Sequence, residues 1–494
     1  MDDMPAGRVE LDTTQGRLVV ATTVAGSAVA MLTATVVNVA LPVLARDLDA
    51  TSSQQQWVVN AYLLPVAALI LTGGALGDRL GRVRMYRIGV IWFALASVLC
   101  AAAPSVEILI GARALQGVGS AILTPGSLAI IEATLREGDR SRGVGQWAGM
   151  SGIAGAVGPL LGGLLVDISW RWVFIVNIPI AIGVIVTSKG IPESADADAS
   201  RQPLDVAGAV LASVALGTGS FALIQGPTGG WGRQAALSAV VAVVAFVWLV
   251  VAERRRTHPM VPLDLFRTRP FVVTNLITLL VYGGMGVVFF LATIHLQVSL
   301  GWSALAAGAA LLPVTGLMLL LSSRAGEISD RIGPRWPLTV GPLAIAAGML
   351  LLGASEPGES YVSAVLPGVV VFGLGLSATV APVTATALGS VPDRRSGAAS
   401  GTNNAVARTG QLLTVAAIPS FVGLGGDALS DADRLSASFP AAMAMGAALV
   451  AAGGVLGALF LEAPEPGRAG RDHPTHCPID GPVPTSRGLS DATS

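Results

Sequence analysis

Fourteen long apolar runs dominate the sequence and leave few folds open to it. The hydrocarbon core of a bilayer is about 30 Å thick and requires roughly 20 apolar residues for each helix that crosses it. Of the 494 residues, 52% are hydrophobic and 12% are charged, whereas soluble domains carry about 25% charged residues. The sequence therefore predicts an all-α polytopic membrane protein with fourteen transmembrane helices. The runs lie near residues 18–42, 56–76, 86–103, 106–133, 144–166, 171–188, 204–225, 234–252, 270–296, 303–323, 337–354, 361–390, 399–423 and 438–461.

The composition argues against several functional classes. A net charge of −1 and the lack of a long basic run leave no electrostatic footprint for a nucleic acid. The two cysteines, Cys100 and Cys477, form neither a CxxC pair nor a disulfide framework. The nucleotide motif GxxxxGK[ST] does not occur, and the single lysine, Lys189, cannot complete one. ATP-driven transport by this chain is therefore not predicted.

A membrane enzyme or a receptor is not predicted either. An enzyme would need clustered His, Asp, Glu or Cys at helical spacing within the spans, and the sequence has no such cluster. A receptor would need a ligand-binding or signalling domain, and no soluble segment is long enough for one. We predict no cofactor and no metal. The tract HPTHC, with His473, His476 and Cys477, has metal-ligand residue types but lies in a tail predicted to be disordered.

The distribution of Lys and Arg predicts the orientation in the cell membrane. If both ends are cytoplasmic, 24 of the 30 basic residues lie in cytoplasmic segments and four lie in outside loops. Such an excess is typical of the positive-inside rule. The leader before the first run mixes acids with bases and the run is long, so we expect this run to stay as an anchor and not to be cleaved. The remaining two basic residues fall within spans, at Arg113 and Arg408.

One charged loop occurs twice. The stretch GALGDRLGRVR, residues 74–84, is repeated 252 positions later as GEISDRIGPR, residues 326–335. Positive-inside charge alone would explain the arginines, but it explains neither the aspartate nor the glycines. The matching positions are Gly74, Leu76, Asp78, Arg79 and Gly81 against Gly326, Ile328, Asp330, Arg331 and Gly333, with Arg82 following in the first copy.

The repeat predicts two related halves, since it follows span 2 and span 10. The predicted organisation begins with a cytoplasmic tail, residues 1–17, and a six-helix bundle, residues 18–188. Two inserted helices with cytoplasmic linkers follow at 189–269, then a second six-helix bundle at 270–462 and a disordered cytoplasmic tail at 463–494.

With these features in place, the sequence resembles the major facilitator superfamily, and in particular its fourteen-span drug:proton antiporter branch. The loop is similar to that superfamily's G-x-L-a-D-r-x-G-r motif, and RALQGVGSA in span 4 resembles its R-x-x-q-G-x-g-a motif. GIAGAVGPLLGG in span 5 resembles the antiporter motif G-x-x-x-G-P-x-x-G-G. TATVVNVALP, QWVVNAYLL and SWRWVFIVNIP also look like that branch. The resemblance implies the superfamily's fold, a monomer, and export of a drug or antibiotic-like metabolite by proton antiport with alternating access.

The motif residues have physical roles under this interpretation. Asp78 is expected to accept charge-assisted bonds across the bundle interface in one conformation only, as a gating latch. Small residues at spacing three or four in span 5 predict a flat groove for close helix packing; ordinary tight packing is the alternative. That motif comprises Gly155, Gly158, Pro159, Gly162 and Gly163.

Arg113 is the sharpest single prediction. A guanidinium within a span costs about 2.5 to 3.5 kcal/mol on insertion scales, so it should face the protein interior and have a partner. Gln116, at i+3, is placed to be that partner. Arg113 is expected to serve transport by binding substrate or influencing protonation; bracing helices through backbone carbonyls is the alternative. Arg408, with Asn403 and Asn404 nearby, is a weaker counterpart that we expect closer to the membrane surface.

The sequence departs from the family at the position where such antiporters commonly carry an acid in span 1. Thr33 stands there, and no Asp or Glu lies near the centre of any span. His295 could exchange protons instead, although a lone membrane histidine is more often a packing residue; Glu132 and Asp78 are further alternatives. The predicted cavity is polar but uncharged and suits a neutral or acidic substrate. Its candidate residues are Thr33, Asn38, Asn60, Tyr62, Gln116, Asn275, His295, Gln297, Asn403, Asn404 and Arg408. An uptake symporter of the same fold is the main alternative function.

Overall fold

The computed structural model describes residues 9–195, 204–256, 259–392 and 395–462. The predicted tail 463–494 with its HPTHC tract, the start of the N-terminal tail and parts of both linkers lie outside these ranges.

The described chain is helical apart from one isolated β-bridge between Val9 and Leu135. Its α-helices are α1 Thr14–Asp47, α2 Ser52–Leu80, α3 Arg82–Ala101, α4 Val106–Thr134, α5 Glu137–Val166, α6 Trp172–Ile175, α7 Asn177–Ser188, α8 Val206–Gln225, α9 Arg233–Arg255, α10 Arg269–Val287, α11 Thr293–Val298, α12 Ala304–Ala310, α13 Leu312–Ile332, α14 Pro337–Gly353, α15 Leu366–Gly389, α16 Ser396–Phe421 and α17 Ala432–Phe460.

Eleven helical stretches of the described chain are long and apolar enough to cross a membrane, and two further apolar stretches, Trp172–Ser188 and Pro337–Gly353, are shorter. The protein is therefore an all-helical, multi-pass membrane protein, as predicted. α16 is not among the eleven, although the sequence analysis predicts a span at 399–423. Its polar residues account for the difference, and they become important at the functional site.

The helix ends differ from the ends of the apolar runs because capping groups set them. α1 begins at Thr14, before the run that starts near 18, and the Thr13 side chain caps it by accepting from the Gly16 amide. α2 begins at Ser52 with a capping box between Thr51 and Gln54. Two runs contain π-helical turns, Val288–Ala292 between α10 and α11 and Tyr361–Val365 before α15. α5 continues through Pro159.

The helices pack mainly within two groups, which we call the N-terminal helices, α1–α7, and the C-terminal helices, α10–α17. Within the first group α2 and α3 pack on α4 and α1 packs on α5; within the second α14 packs on α15 and α17, and α10 on α16. The pair α8 and α9 lies outside both groups. α8 packs against both α2 and α16, while α9 exposes a large apolar surface that suits lipid contact, with Leu237 61% and Trp248 65% exposed.

The two repeated loops lie on the same side of the molecule. Gly373, near the start of α15, packs against Val314, near the start of α13, so these two helices run parallel and end together. α16 begins just after α15 ends, and its Gly401 packs against Leu71 in the last three turns of α2. We call the side that carries residues 74–84 and 326–335 the loop side, and the opposite side the far side.

Candidate functional site

Arg113 is at the centre of a buried polar network among the N-terminal helices. Its side chain is 1% exposed and lies in the far-side third of α4, not in mid-span. The Arg113 Nε donates to the Val58 carbonyl of α2 at 3.1 Å, and a terminal nitrogen donates to Gln116 Oε1 at 2.5 Å. The guanidinium also stacks 4.4 Å from the centroid of the Tyr62 ring. Among the described residues it forms no ion pair.

The network extends from Arg113 through its neighbours to other helices. Gln116 Nε2 donates to Ser97 Oγ of α3 at 2.8 Å, which fixes the orientation of the amide. The Tyr62 hydroxyl donates to the Ala30 carbonyl at 3.1 Å, and it shares a 2.9 Å hydrogen bond with the Ser120 hydroxyl. α1, α2, α3 and α4 therefore meet at one positive charge, and every contact to it comes from a neutral group.

Arg408 differs from Arg113 both in its position along the helix and in its burial. Arg408 lies at the middle of α16, whereas we expected it closer to the membrane surface, and it is only half-buried. It donates to Gln411 Oε1 at 3.1 Å, and Asn404, one turn earlier, is exposed. A mid-membrane guanidinium avoids lipid and seeks a water-filled cavity, so this polar face of α16 is a candidate lining of the transport pathway. Gln411 was not predicted, although its i+3 spacing repeats that of Arg113 and Gln116.

Asn403 does not lie on that face. Its Nδ2 donates to Asn275 Oδ1 at 3.2 Å and to Thr278 Oγ1 at 2.9 Å, both on α10, and all three side chains are buried. Asn403 and Asn275 therefore fasten α16 to α10. Adjacent residues of one helix face different ways, so Asn403 packs against α10 whereas Asn404 is exposed.

Thr33, at the position where the resembled family carries an acid, is fully buried against α7. Its hydroxyl donates to Asn177 Oδ1 at 3.1 Å, and Asn177 Nδ2 has no partner among the described residues. Asn38 Oδ1 and both polar side-chain atoms of Asn60 are also buried without a described partner. Buried amides are normally hydrogen-bonded, so these groups are sites where water or a polar ligand can bind. The sequence analysis did not single out Asn177, although it quoted the stretch VNIP that contains it.

His295 is separate from these groups and lies among the C-terminal helices near the far side. Its ring stacks on Phe439 of α17, with centroids 3.9 Å apart and planes 4° apart. Its Nε2 lies 3.3 Å from the Ser355 hydroxyl, while Nδ1 is buried without a described partner. A small cavity beside the ring is lined mostly by apolar side chains. These contacts suit a packing residue, although they leave one ring nitrogen free to bind a proton.

The repeated loops do not contact each other in this conformation. Asp78 pairs with Arg82 of the same loop at 2.8 Å, not with a group across the interface. Among the described residues, Asp330 and Arg331 form no ion pair or side-chain hydrogen bond. Gly81 and Gly333 end α2 and α13 with φ of 105° and 80°, values that favour glycine, and this explains why both copies keep glycine there. Gly74 and Gly326 begin the two motifs within the same helices, and Arg79 has the helix position that matches Arg331.

Glu193 makes a contact on the loop side that was not predicted from the sequence. Its two carboxylate oxygens accept from the backbone amides of Val83 and Arg84, each at 2.9 Å, at the first turn of α3. A carboxylate at a helix N-terminus is stabilised by the helix dipole and by the free amides. Glu193 thus joins the segment after α7 to the first repeated loop. In the sequence it appears only as one acid in a polar linker.

The far side is closed by contacts between the N-terminal and C-terminal helices. Gly163 of α5 lies against Leu305, so a Cβ on Gly163 would be 2.8 Å from the Leu305 nitrogen. Gly308 of α12 likewise lies against Pro159, so the glycine motif of α5 joins the two groups of helices. Gly158 and Gly162 instead pack on Thr35 and Val36 of α1, and Gly155 has a looser contact with Met31.

Polar contacts reinforce this closure. Thr293 of α11 donates to the Asn38 carbonyl at 3.3 Å, and Gln297 Nε2 donates to the Val39 carbonyl at 3.0 Å. The connection between α16 and α17 also reaches α2, because the Ser52 amide donates to the Gly426 carbonyl at 2.7 Å and the Leu429 amide donates to Ser52 Oγ at 2.9 Å. Gln297 is thus an interface residue, which spacing alone could not show.

Comparison with known proteins agrees with this architecture. A family model described as Major Facilitator Superfamily matches residues 23–415. The chain is 33% identical to the tetracenomycin C resistance and export protein of Streptomyces glaucescens, over 78% of this chain and 72% of that protein. It is 34% identical to the puromycin resistance protein pur8 of Streptomyces alboniger, over 78% of each chain.

A solved structure of a bacterial homologue of the human drug peptide transporters PepT1 and PepT2 superposes with a TM-score of 0.62. It is 13% identical in sequence, and the match covers 89% of this chain and 97% of that one, so it supports the fold alone. The resemblance drawn from the loop and helix motifs is confirmed by the family match. The chain belongs to the Major Facilitator Superfamily, and its relatives include antibiotic resistance and export proteins of that superfamily.

Proposed function

We propose that the protein exports a neutral or acidic antibiotic-like molecule across the cell membrane in exchange for protons, by alternating access. The proposed substrate class rests on Arg408, which is half-buried at the middle of α16 beside the exposed Asn404. Arg408 has no ion-pair partner among the described residues. A cationic drug would be repelled there, whereas a carboxylate or a polar neutral group would be bound. Export is supported by relatives that are named for tetracenomycin C export and puromycin resistance.

The proposed topology has fourteen crossings, with both ends and the loop side in the cytoplasm. The helix pair α8 and α9 is the inserted pair, and α16 is a crossing segment in spite of its lower hydropathy, because its polar face lines the pathway. The excess of Lys and Arg on the loop side supports this orientation. The protein is proposed to act as a monomer, with residues 18–188 and 270–462 as the two bundles.

With that orientation, the conformation described here is closed to the outside. The Gly163 and Gly308 contacts and the Gln297 hydrogen bond hold the far side together, while Asp78 remains within its own loop. We propose that Asp78 and Asp330 make contacts across the interface only in the opposite conformation, when the loop side closes. A contact made in one state alone biases the equilibrium between the two.

Flux in everted membrane vesicles tests the direction and the coupling ion. When the interior is made acidic, an exporter that works by proton antiport should accumulate its substrate inside, because the outer face of the protein now faces the lumen. Collapse of the gradient with a protonophore should abolish the accumulation, and vesicles without the protein are the control. Transport that ignores the proton gradient, or uptake that requires the opposite gradient, would contradict the proposal.

Replacing Arg408 tests the proposed substrate class. We expect Arg408→Ala to remove most transport of an anionic dye such as fluorescein, whereas Arg408→Lys, which keeps the positive charge, should retain part of it. Transport of a cationic dye such as ethidium should not fall in parallel. The matched control is Arg434→Ala, which removes an exposed arginine on the far side. Equal loss of both dyes in Arg408→Ala would show that the residue supports the fold and does not select charge.

A further inference from the structure

Two acidic side chains meet at the loop-side base of the inserted helix pair. Asp205 precedes α8 and caps it, and Glu253 lies in the last turn of α9. They are 48 positions apart in the sequence, yet both are buried, with 9% of Asp205 and 4% of Glu253 exposed. Burial of two carboxyl groups at one site is unfavourable unless each oxygen has a partner.

Only half of the carboxyl oxygens have one. Asp205 Oδ1 accepts from the Gly208 amide at 2.7 Å and pairs with Arg256, and Glu253 Oε2 accepts from the Val261 amide at 2.9 Å. Asp205 Oδ2 and Glu253 Oε1 are buried without a partner among the described residues. Both lie 2.8 Å from the place where a Cβ on Gly208 would be, and are therefore at most twice that distance apart.

The charges at the site favour one bound proton. Among the described residues Arg256 compensates one carboxylate, so two ionised acids leave one negative charge in a buried place without a described counter-ion. α8 carries no charged residue and Arg254 and Arg255 of α9 are exposed, while Arg201 and His258 lie outside the described residues. A proton shared by the two unpartnered oxygens would neutralise the cluster and satisfy both atoms with one hydrogen bond.

The same site is connected to the first repeated loop. The Val261 amide is held by Glu253, and the adjacent Met260 sulfur accepts from the Thr72 hydroxyl of α2 at 3.4 Å. Thr72 precedes the Gly74 motif by less than one helical turn. α8 also packs on both α2 and α16, the helices that face each other across the two halves. The two carboxyl groups are therefore connected to α2 through the adjacent residues Val261 and Met260.

We propose that Asp205 and Glu253 bind one proton between them and that this proton regulates the attachment of α2 to the inserted helix pair. The proton comes from water on the loop side, forms an O–H bond with one carboxylate and donates to the other. When it leaves, the repulsion between the two carboxylates loosens the hold of Glu253 on Val261. The role in coupling rests on the proposed proton antiport, whereas proton binding by the pair does not depend on it.

Infrared difference spectroscopy of the full-length protein in lipid nanodiscs tests proton binding by the two carboxyl groups and does not require a transport measurement. We expect a separate carboxylic acid C=O band that appears at a higher pH than the band of the exposed acids and is lost in both Asp205→Asn and Glu253→Gln. Glu137→Gln, which removes an exposed acid at the start of α5, should keep the band. Gly208→Ala places a methyl group against both oxygens and should shift the pH at which the band appears, even if an acid variant fails to fold. An unchanged band in Gly208→Ala and in the acid variants that fold would overturn the proposal.

Flux measurements on the same variants separate this proposal from the proposed function. If Glu253→Gln and Gly208→Ala keep the wild-type dependence of flux on loop-side pH while flux stays proton-driven, regulation by the pair is wrong and antiport stands. If the band behaves as expected but flux ignores the proton gradient in the wild type, proton binding stands and antiport is wrong. Loss of the band in Glu253→Gln, its shift in Gly208→Ala and an altered pH dependence of flux in both variants, but not in Glu137→Gln, support the proposal in full.

Discussion

Replacing Arg113 by alanine is expected to abolish transport while the protein still inserts into the membrane. The substitution leaves the Val58 carbonyl and the Gln116 amide without their donor in a fully buried place. Leaving a buried hydrogen-bonding group without its partner costs about 1 to 3 kcal/mol, so the loss of both bonds corresponds to a loss of flux of about thirtyfold or more if the network is needed in the transition. Insertion should not suffer, because removal of a guanidinium lowers the insertion cost by about 2.5 to 3.5 kcal/mol.

Two further variants test whether the loss of transport is specific to the guanidinium group of Arg113. Arg113→Lys keeps the charge but cannot present the planar fork that reaches Val58 and Gln116 together, so we expect it to be nearly as inactive. Arg434→Ala is the control, since its side chain is 70% exposed. Membrane content and elution from a size-exclusion column measure insertion and folding separately from flux. Normal flux in Arg113→Ala would refute a role for the residue in transport.

Substituting valine for Gly163 is expected to prevent closure of the far side and to eliminate transport. The added Cβ would meet the backbone of Leu305, which no change of side-chain rotamer can relieve. Overpacking costs about 1 to 3 kcal/mol, enough to shift an equilibrium between two conformations by roughly tenfold or more. Gly152→Val is the matched control in the same helix, because a Cβ on Gly152 meets no atom within 4 Å.

Cysteine labelling distinguishes this outcome from simple misfolding. Thr293 is 1% exposed at the closed far side, so Thr293→Cys, in a chain with both native cysteines replaced by serine, should react slowly with a membrane-impermeant thiol reagent. Adding Gly163→Val should raise the labelling rate by about tenfold or more, while Gly152→Val should leave it unchanged. Slow labelling together with full transport in the Gly163 variant would show that this contact does not control closure.

Local chemistry was sufficient to predict some contacts of the candidate site. Residues at i and i+3 are neighbours on any helix, and so the pairing of Arg113 with Gln116 followed from spacing alone. The matching glycines of the repeated loops are visible in the sequence, and the structure gives a reason for Gly81 and Gly333, each of which ends a helix with a positive φ. The missing acid in span 1 was also plain from the sequence, and the structure places Thr33 against Asn177.

The environment of Arg408 could not be predicted in the same way. Arg113 and Arg408 each interrupt an apolar run, but one is fully buried in α4 and the other is half-buried on α16. In a membrane protein the lipid-facing and protein-facing surfaces are similarly apolar. The hydropathy pattern therefore does not say which face of a helix meets a cavity.

The sequence by itself determined that the chain is a membrane protein of helices, that it contains a repeated loop, and that it belongs with small-molecule transporters. These properties depend on residues close together in the chain, whose spacing is fixed by helix geometry and bilayer thickness. The tertiary structure decided which distant residues meet: Gly163 with Leu305 at the closed far side, and Asp205 with Glu253 below the inserted helices. These contacts depend on how the helices pack in three dimensions, and no local pattern in the sequence specifies that packing.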